Sequence, residues 1–112
     1  MSETKNSEAE ARKNIPLSRG LFDYFPDALM AIAENSRIGS IQHHPGEGIF
    51  WERGKSADHP DALLRHFVDR GRLDSDKVRH STKVAWRALA ILQEEIEQAI
   101  ANSTGQSIKE VS

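Results

Sequence analysis

The segment richest in chemically active side chains runs from Gly54 to Gly71 and reads GKSADHPDALLRHFVDRG. It contains two histidines, three aspartates, two arginines and one lysine within eighteen residues. His59 and His66 are seven positions apart, so on a helix they fall on one face. Histidine serves as a general base near neutral pH or binds a transition metal, and both roles are open for these two residues. The alternative interpretation is the solvated side of an ordinary helix.

Carboxylates in and before this segment are candidate ligands for a magnesium ion. Mg²⁺ takes oxygen ligands in octahedral geometry, usually one or two carboxylates together with phosphate and water oxygens. We expect Glu34, Asp61 and Asp69 to supply these carboxylates. Asp61 and Asp69 also form i,i+4 pairs with Arg65, but such pairs stabilise a helix by only about 0.2–0.5 kcal/mol each. The chain has no HExxH motif, cysteine cluster or glycine-rich phosphate loop that would indicate one particular site.

Basic and aromatic residues around the same segment predict an anionic ligand with an aromatic part. In FWERGKS, two adjacent aromatic residues precede Arg53 and Lys55, and an aromatic face can stack on a base while a cation holds phosphate. The net charge of the whole chain is only -2, which argues against a general nucleic-acid binder. A nucleotide suits a local basic centre better. The residues that we expect to contact it are Trp51, Arg53, Lys55, Arg70, His80, Lys83 and Arg87.

These side chains are predicted to lie on helices and on one long loop. Pro26 is well placed to open the first helix, because its missing N–H is not needed there. Apolar residues at helical spacing follow, and Gly39 is expected to end or bend that helix. Residues 43–58 contain glycines, a proline and two adjacent aromatic residues, and we expect them to form a long ordered loop. Loops of this kind are often functional.

Two further helices complete the predicted fold. The second starts near Ser56 or Asp58 and stops at Gly71. The third begins near Ser75 or Asp76 and runs for about seven turns. Because no stretch reads as a β-strand, we predict an all-α fold: a small helical domain with the long ordered loop and one long C-terminal helix.

The third predicted helix carries apolar side chains on two sides, which indicates two packing partners. Its wide apolar face includes Leu89, Leu92 and Ile96, and Val84 with Ile91 forms a narrower strip on the far side. A short chain has few elements to cover both sides, so we expect a homo-oligomer, either a dimer or a tetramer. A helical interaction module that binds another protein through the narrow strip is a weaker alternative.

Length and composition fit one small domain. The chain has 112 residues, no cysteine and no run of about 20 apolar residues that could cross a membrane. Residues 1–14 are polar, lack periodicity and lack the apolar core of a secretory signal, so we expect disorder there. Residues 15–101 are predicted to form a single nucleotide-handling domain, and residues 102–112 a flexible tail. We expect a soluble cytoplasmic protein without membrane partners.

Three blocks of the sequence resemble a phage-borne family, the N-terminal domain of dATP/dGTP diphosphohydrolase. The blocks are RGLFDYFPDALMAIAENS, GKSADHPDALLRHFVDRG and RHSTKVAWRALAILQEE, which occur in this order between residues 15 and 97. The family is associated with MazG-like, all-α nucleotide pyrophosphohydrolases. Those enzymes cut between the α- and β-phosphates of a nucleoside triphosphate, using Mg²⁺ held by acidic residues on paired helices. For a phage-encoded protein, the resemblance implies the cytoplasm of the host cell.

The acidic pattern of those relatives is only partly present here. Their usual pattern is ExxE on one helix and ExxD on the next, whereas Glu34 has Ala31 and Arg37 three positions away on either side. The second helix offers Asp61 and Asp69 in two partial versions of the pattern.

Two hypotheses from different classes follow. The first is a Mg²⁺-dependent diphosphohydrolase of purine (deoxy)nucleoside triphosphates, in which Glu34, Asp61 and Asp69 hold the metal and His59 or His66 acts as general base. The second is a non-catalytic protein that binds and sequesters a nucleotide, linear or cyclic, such as a signal of host antiphage defence. The second hypothesis needs basic and aromatic residues but no metal, and the incomplete acidic set favours it. The sequence leaves the base and the sugar of the ligand open.

Overall fold

The computed structural model describes residues 2–54 and 57–104, and the named elements in these ranges are all helices. The four α-helices are α1 (Ser2–Lys13), α2 (Pro26–His43), α3 (His59–Val68) and α4 (His80–Ser103), with a short π-helix at Ser18–Phe22 between α1 and α2. Extended backbone pairs in these ranges only at an isolated bridge between Leu73 and Arg79, so the all-α prediction is confirmed. Within the same ranges, no helix has the length and apolar character needed to cross a bilayer.

The chain divides into two compact units, and the boundary follows Met30, inside α2. The domain predicted for residues 15–101 therefore includes parts of both units. In the first unit, residues 2–13 form α1, although their polar composition predicts disorder for residues 1–14. Glutamate, alanine, lysine and arginine make up most of α1, and their high helix propensity accounts for a helix without an apolar face.

α2 extends further than the sequence predicts. It begins at Pro26, as expected, but Gly39 lies inside the helix and does not end it. The helix stops at His43, because the next residue precedes Pro45 and is disfavoured in helical conformation. Gly46 then turns the chain with φ +83°, a backbone conformation that side chains with a Cβ rarely adopt.

α3 and α4 form the packed helix pair of the second unit. Asp58 occupies the N-cap position of α3, Pro60 lies in its first turn, and Gly71 follows its end with φ +90°. Ala62 and Ala90 are the most deeply buried apolar residues, with 1% and 3% of their surface exposed. Their small side chains allow close approach of two helices.

α4 begins later than predicted, at His80. Residues 72–79 instead form a tight turn, in which the Asp74 N–H donates to the Val78 carbonyl oxygen at 2.8 Å. The carboxylates of Asp74 and Asp76 accept backbone N–H groups within this turn. Such local hydrogen bonds compete with helix formation, which explains why these aspartates support the turn and do not cap the helix.

The apolar core of the second unit is small. Leu89, Leu92 and Ile96, on the wide apolar face of α4, are 48%, 51% and 46% exposed. Val84 and Ile91, on the narrow strip, are partly buried. The ten residues of α3 cover only part of the 24-residue α4, which leaves much of the wide face open. None of the large side chains in the described residues is less than 2% exposed.

Candidate functional site

A cleft of about 470 Å³ in the second unit brings several of the predicted site residues together. Side chains from the second half of α2, from the loop after it, and from α3 and α4 line this cleft. Five of the residues singled out in the sequence are among them: Trp51, His59, His66, Lys83 and Arg87. The volume falls within the range of about 300–1,000 Å³ that is usual for small-molecule sites.

Two tryptophans give the cleft an aromatic surface. The rings of Trp51 and Trp86 pack edge to face, with centroids 5.5 Å apart. The Trp86 indole N–H donates to Ser36 Oγ at 3.0 Å, which fixes that ring against α2. Ser40 Oγ accepts the Phe50 N–H at 3.0 Å and so holds the loop to the same helix. Because the two indole planes meet at 75°, they form an aromatic corner that is already in place before a ligand arrives.

His59 orients the arginine of the cleft. Only 5% of the His59 surface is exposed, and its Nδ1 lies 2.8 Å from Arg87 Nη1. A guanidinium only donates hydrogen bonds, so His59 Nδ1 accepts and the ring proton is on Nε2, 3.8 Å from Glu94 Oε1. The lone pair that a general base needs is thus engaged with Arg87. This arrangement makes His59 a positioning residue and gives no support to the general-base role expected for it.

Lys83 joins α4 to the turn at residues 72–79. Its ammonium group donates to Asp74 Oδ2 at 2.7 Å and to Asp76 Oδ2 at 2.9 Å. The hydrogen bond from Lys83 lowers the pKa of Asp74 to about 2, and it also lowers the pKa of Asp76. Burial opposes the charge of Lys83, but the two carboxylates outweigh this effect and raise its pKa. With two carboxylates against one ammonium, this part of the cleft suits a cation.

His66, Asp74 and His80 form a group suited to a metal ion, because one ligand atom from each lies within 4.8 Å of the others. His66 Nδ1 and His80 Nδ1 are 2.8 Å apart, and His80 Nε2 lies 3.9 Å from Asp74 Oδ1. Burial lowers the pKa of His66, and the positive charges of His80 and Lys83 lower it further. The neutral imidazole that results near pH 7 is the form that binds metals or accepts a proton.

The carboxylates predicted to hold Mg²⁺ do not come together. Glu34 is exposed on α2 and forms a two-pronged ion pair with Arg37, at 2.8 and 2.5 Å. Asp61 lies in the first turn of α3 and Asp69 follows its last residue, which separates them by roughly 12 Å along the helix axis. The metal-suited group found in the described residues includes none of the three. The residues present therefore do not fit Mg²⁺ at the predicted positions.

The remaining predicted contacts are not among the residues that line the cleft. Arg53 stacks over the Trp51 ring at 4.2 Å from its centroid. Arg70 stacks over the Phe67 ring at 4.4 Å from its centroid. Lys55 lies outside the described residues. Arg53 therefore supports the Trp51 ring from outside the cleft, and Arg70 packs against the end of α3.

Sequence reasoning missed Asp74, Asp76 and Trp86 as site residues. Asp76 reads as a helix cap, although Asp74 and Asp76 precede His80 and Lys83 by only four to nine residues. That combination of an aspartate pair with a following histidine and lysine is the signal that would have indicated a charged cluster. Trp86 reads as a core residue, because a tryptophan in a small domain usually is one.

Comparisons of the chain with protein-family models, with curated proteins and with solved structures find no match. The function is therefore argued from the side chains of the cleft and their geometry.

Proposed function

We propose that the cleft binds a nucleotide and that the protein is a nucleotide phosphohydrolase. The observation that carries the proposal is the convergence of two indole rings, a lysine, an arginine and four histidines on one cleft of about 470 Å³. A nucleotide needs a flat apolar surface for its base and charge-assisted hydrogen bonds for its phosphates. The face of one indole, Trp51 or Trp86, meets the first need, and Arg87 meets the second, with a smaller contribution from Lys83.

Arg87 is the side chain best suited to hold a phosphate. It lines the cleft, and its guanidinium is oriented by the hydrogen bond with His59 Nδ1 at 2.8 Å. A guanidinium offers five N–H donors in a fixed plane and can bind two phosphate oxygens at once. Lys83 shares its ammonium group between Asp74 and Asp76, so its contribution to phosphate binding is smaller.

The proposed reaction is attack of water on the α-phosphorus of the bound nucleoside triphosphate, with pyrophosphate as the leaving group and the proton of the water released to solvent. Arg87 stabilises the negative charge that develops on the phosphate oxygens in the transition state, and Lys83, which Asp74 and Asp76 already neutralise, has a smaller effect. Burial lowers the pKa of His66, whose side chain lines the cleft. Purine deoxynucleoside triphosphates are the first substrates to test, because the sequence resemblance implies them. Since Glu34, Asp61 and Asp69 do not fit Mg²⁺, no step is assigned to that ion.

A non-catalytic protein that sequesters a nucleotide is the second candidate. The separation of Glu34, Asp61 and Asp69 favours it, because a cleft without a carboxylate site for Mg²⁺ can bind a nucleotide and leave it intact. A linear or a cyclic nucleotide, including a signal of host defence, would then be bound and later released without chemical change.

Calorimetry tests the binding that both candidates share. A non-hydrolysable dATP analogue should bind the wild type and bind Arg87→Ala at least about tenfold more weakly, since charged hydrogen bonds contribute about 1.5–3 kcal/mol. Arg65→Ala is the matched control, because it removes an arginine from the exposed side of α3. Wild-type protein that binds no nucleotide, or an equal loss in both variants, contradicts the cleft as the site.

Chromatography separates the two candidates. The protein is incubated with dATP and then denatured, and the nucleotide is analysed. dAMP with pyrophosphate indicates the hydrolase, whereas intact dATP that had been bound indicates sequestration.

We also propose that the chain assembles with itself, as a dimer or a tetramer. Leu92 and Ile96 are about half exposed, and together with Ile32 and Trp51 they line an apolar groove of about 340 Å³. Exposed apolar surface costs about 25 cal/mol per Å², so a small core gains stability when a second copy covers this face.

A further inference from the structure

We propose that His66, Asp74 and His80 bind a divalent transition-metal ion at the edge of the cleft. His66 lies in the last turn of α3, Asp74 in the turn at residues 72–79, and His80 is the first residue of α4. Three separate pieces of the chain thus bring one ligand atom each to within 4.8 Å of the others. Such convergence in a protein with few tertiary contacts is the first reason to assign a site here.

The spacing of the two imidazoles fits two ligands on one ion. Metal–nitrogen bonds of about 2.0–2.1 Å place ligands at right angles roughly 2.9 Å apart, and tetrahedral ligands roughly 3.4 Å apart. His66 Nδ1 and His80 Nδ1 are 2.8 Å apart. At this distance two neutral rings share one proton in a hydrogen bond. When the ring protons of both histidines are on Nε2, both Nδ1 atoms can direct a lone pair at one metal ion, so metal binding needs only a change of tautomer.

Asp74 supplies the anionic ligand, and its neighbours hold it in place. Oδ1 accepts the Ser75 backbone N–H at 2.7 Å, and Oδ2 accepts the Lys83 ammonium at 2.7 Å. Hydrogen bonds of this kind orient ligating carboxylates in known metal sites. Oδ1 also lies 3.9 Å from His80 Nε2, so the carboxylate and the ring are already neighbours. Asp76 balances the positive charge of Lys83 beside the ion, at 2.9 Å.

The donor set selects the class of metal. Two imidazole nitrogens and one carboxylate are typical ligands of Zn²⁺, Mn²⁺ or Fe²⁺, whereas Mg²⁺ prefers a shell made only of oxygen. Three protein ligands also leave coordination positions for water or substrate. The site therefore differs from the expected magnesium site both in its residues and in its metal.

The proposed metal site opens to the ligand-binding cleft. His66 is the proposed ligand that lines the cleft, and Asp76 and Lys83 beside the site line it too, so the site adjoins the space where a nucleotide phosphate would lie. A metal at this place can polarise a phosphate oxygen or activate water. That catalytic role rests on the proposed function, whereas the binding of the ion does not.

Metal binding is measured on the full-length protein after treatment with a chelator, in the absence of nucleotide. Calorimetric titration should show one equivalent of Zn²⁺ or Mn²⁺ and binding of Mg²⁺ that is at least about tenfold weaker. His80→Gln should lower Zn²⁺ affinity at least about tenfold, as loss of a ligand exceeds the effect of losing an outer hydrogen bond. Glu95→Gln, which changes an exposed carboxylate of α4 outside the cleft, is the control and should keep wild-type affinity.

X-ray absorption of the Zn²⁺-loaded wild type tests the site without any substitution, in case His80→Gln does not fold. Two imidazole ligands are expected around the zinc. No stoichiometric binding, a zinc environment without imidazole, or an equal loss of affinity in Glu95→Gln and His80→Gln overturns the proposal. Zinc on two imidazoles in a protein that hydrolyses no nucleotide supports the metal site and refutes the hydrolase. Hydrolysis by a protein that binds no transition metal supports the hydrolase and overturns the metal site.

Discussion

The ion pair between Asp74 and Lys83 predicts how the stability of the folded protein depends on pH. Lys83 holds the pKa of Asp74 at about 2, below its usual value of 3.8. At about 1.4 kcal/mol per pKa unit, the full shift corresponds to roughly 2.4 kcal/mol. The Asp74 side chain is 28% exposed, and screening by water reduces the contribution to about 1–2 kcal/mol. Because the pKa is lower in the folded state, this stability is present above about pH 4 and is lost as the pH falls towards 2.

Asp74→Asn removes this contribution while keeping the size of the side chain. Urea unfolding of the metal-free protein, followed by circular dichroism, should show the variant about 1–2 kcal/mol less stable than wild type at pH 7. The difference should shrink towards zero near pH 2. Glu95→Gln, at an exposed position of α4, is the matched control and should stay within about 0.5 kcal/mol of wild type. Equal stability at pH 7, or a difference that persists at pH 2, would refute the reasoning.

Three further predictions concern the ligand and the assembly. Lys83→Ala should weaken nucleotide binding less than Arg87→Ala does, because Lys83 is shared between two carboxylates; calorimetry showing the reverse order contradicts the assigned roles. Trp51→Ala should cost about 1–3 kcal/mol of nucleotide binding, as expected for one stacked base, and should leave ribose phosphate binding unchanged. Leu92→Glu should convert an oligomer into monomers in light scattering after gel filtration, because an unpaired carboxylate would be buried; a wild type that is already monomeric at micromolar concentration rules out the assembly.

Local signals in the sequence were sufficient to predict the helices that carry the cleft. Pro26 opens α2, Asp58 and Gly71 bracket α3, and these residues act through their own backbone preferences. The seven-residue spacing of His59 and His66 predicts one shared helix face, and both side chains line the cleft. Helix ends and helix faces depend on residues close together in the chain, and they could therefore be predicted without a structure.

The roles of individual charged residues could not be predicted from such local signals. Glu34 was predicted as a metal ligand, yet its carboxylate is paired with Arg37 one turn away. Asp74 was not singled out at all, because the turn at residues 72–79 brings it to Lys83, and the fold brings His66 of α3 to the same place. Whether a carboxylate binds a metal or forms an ion pair depends on the cations around it, and the fold determines which cations those are.

The most direct test of the central claim is the fate of dATP after incubation with wild-type protein and Zn²⁺ or Mn²⁺, followed by chromatography. We expect dAMP and pyrophosphate from the wild type, and at least about a hundredfold less product from His66→Gln, which loses a proposed ligand of the metal ion. Glu95→Gln, at an exposed position of α4 outside the cleft, is tested in parallel and should keep wild-type turnover. dATP recovered intact from the wild type with either metal contradicts the hydrolase.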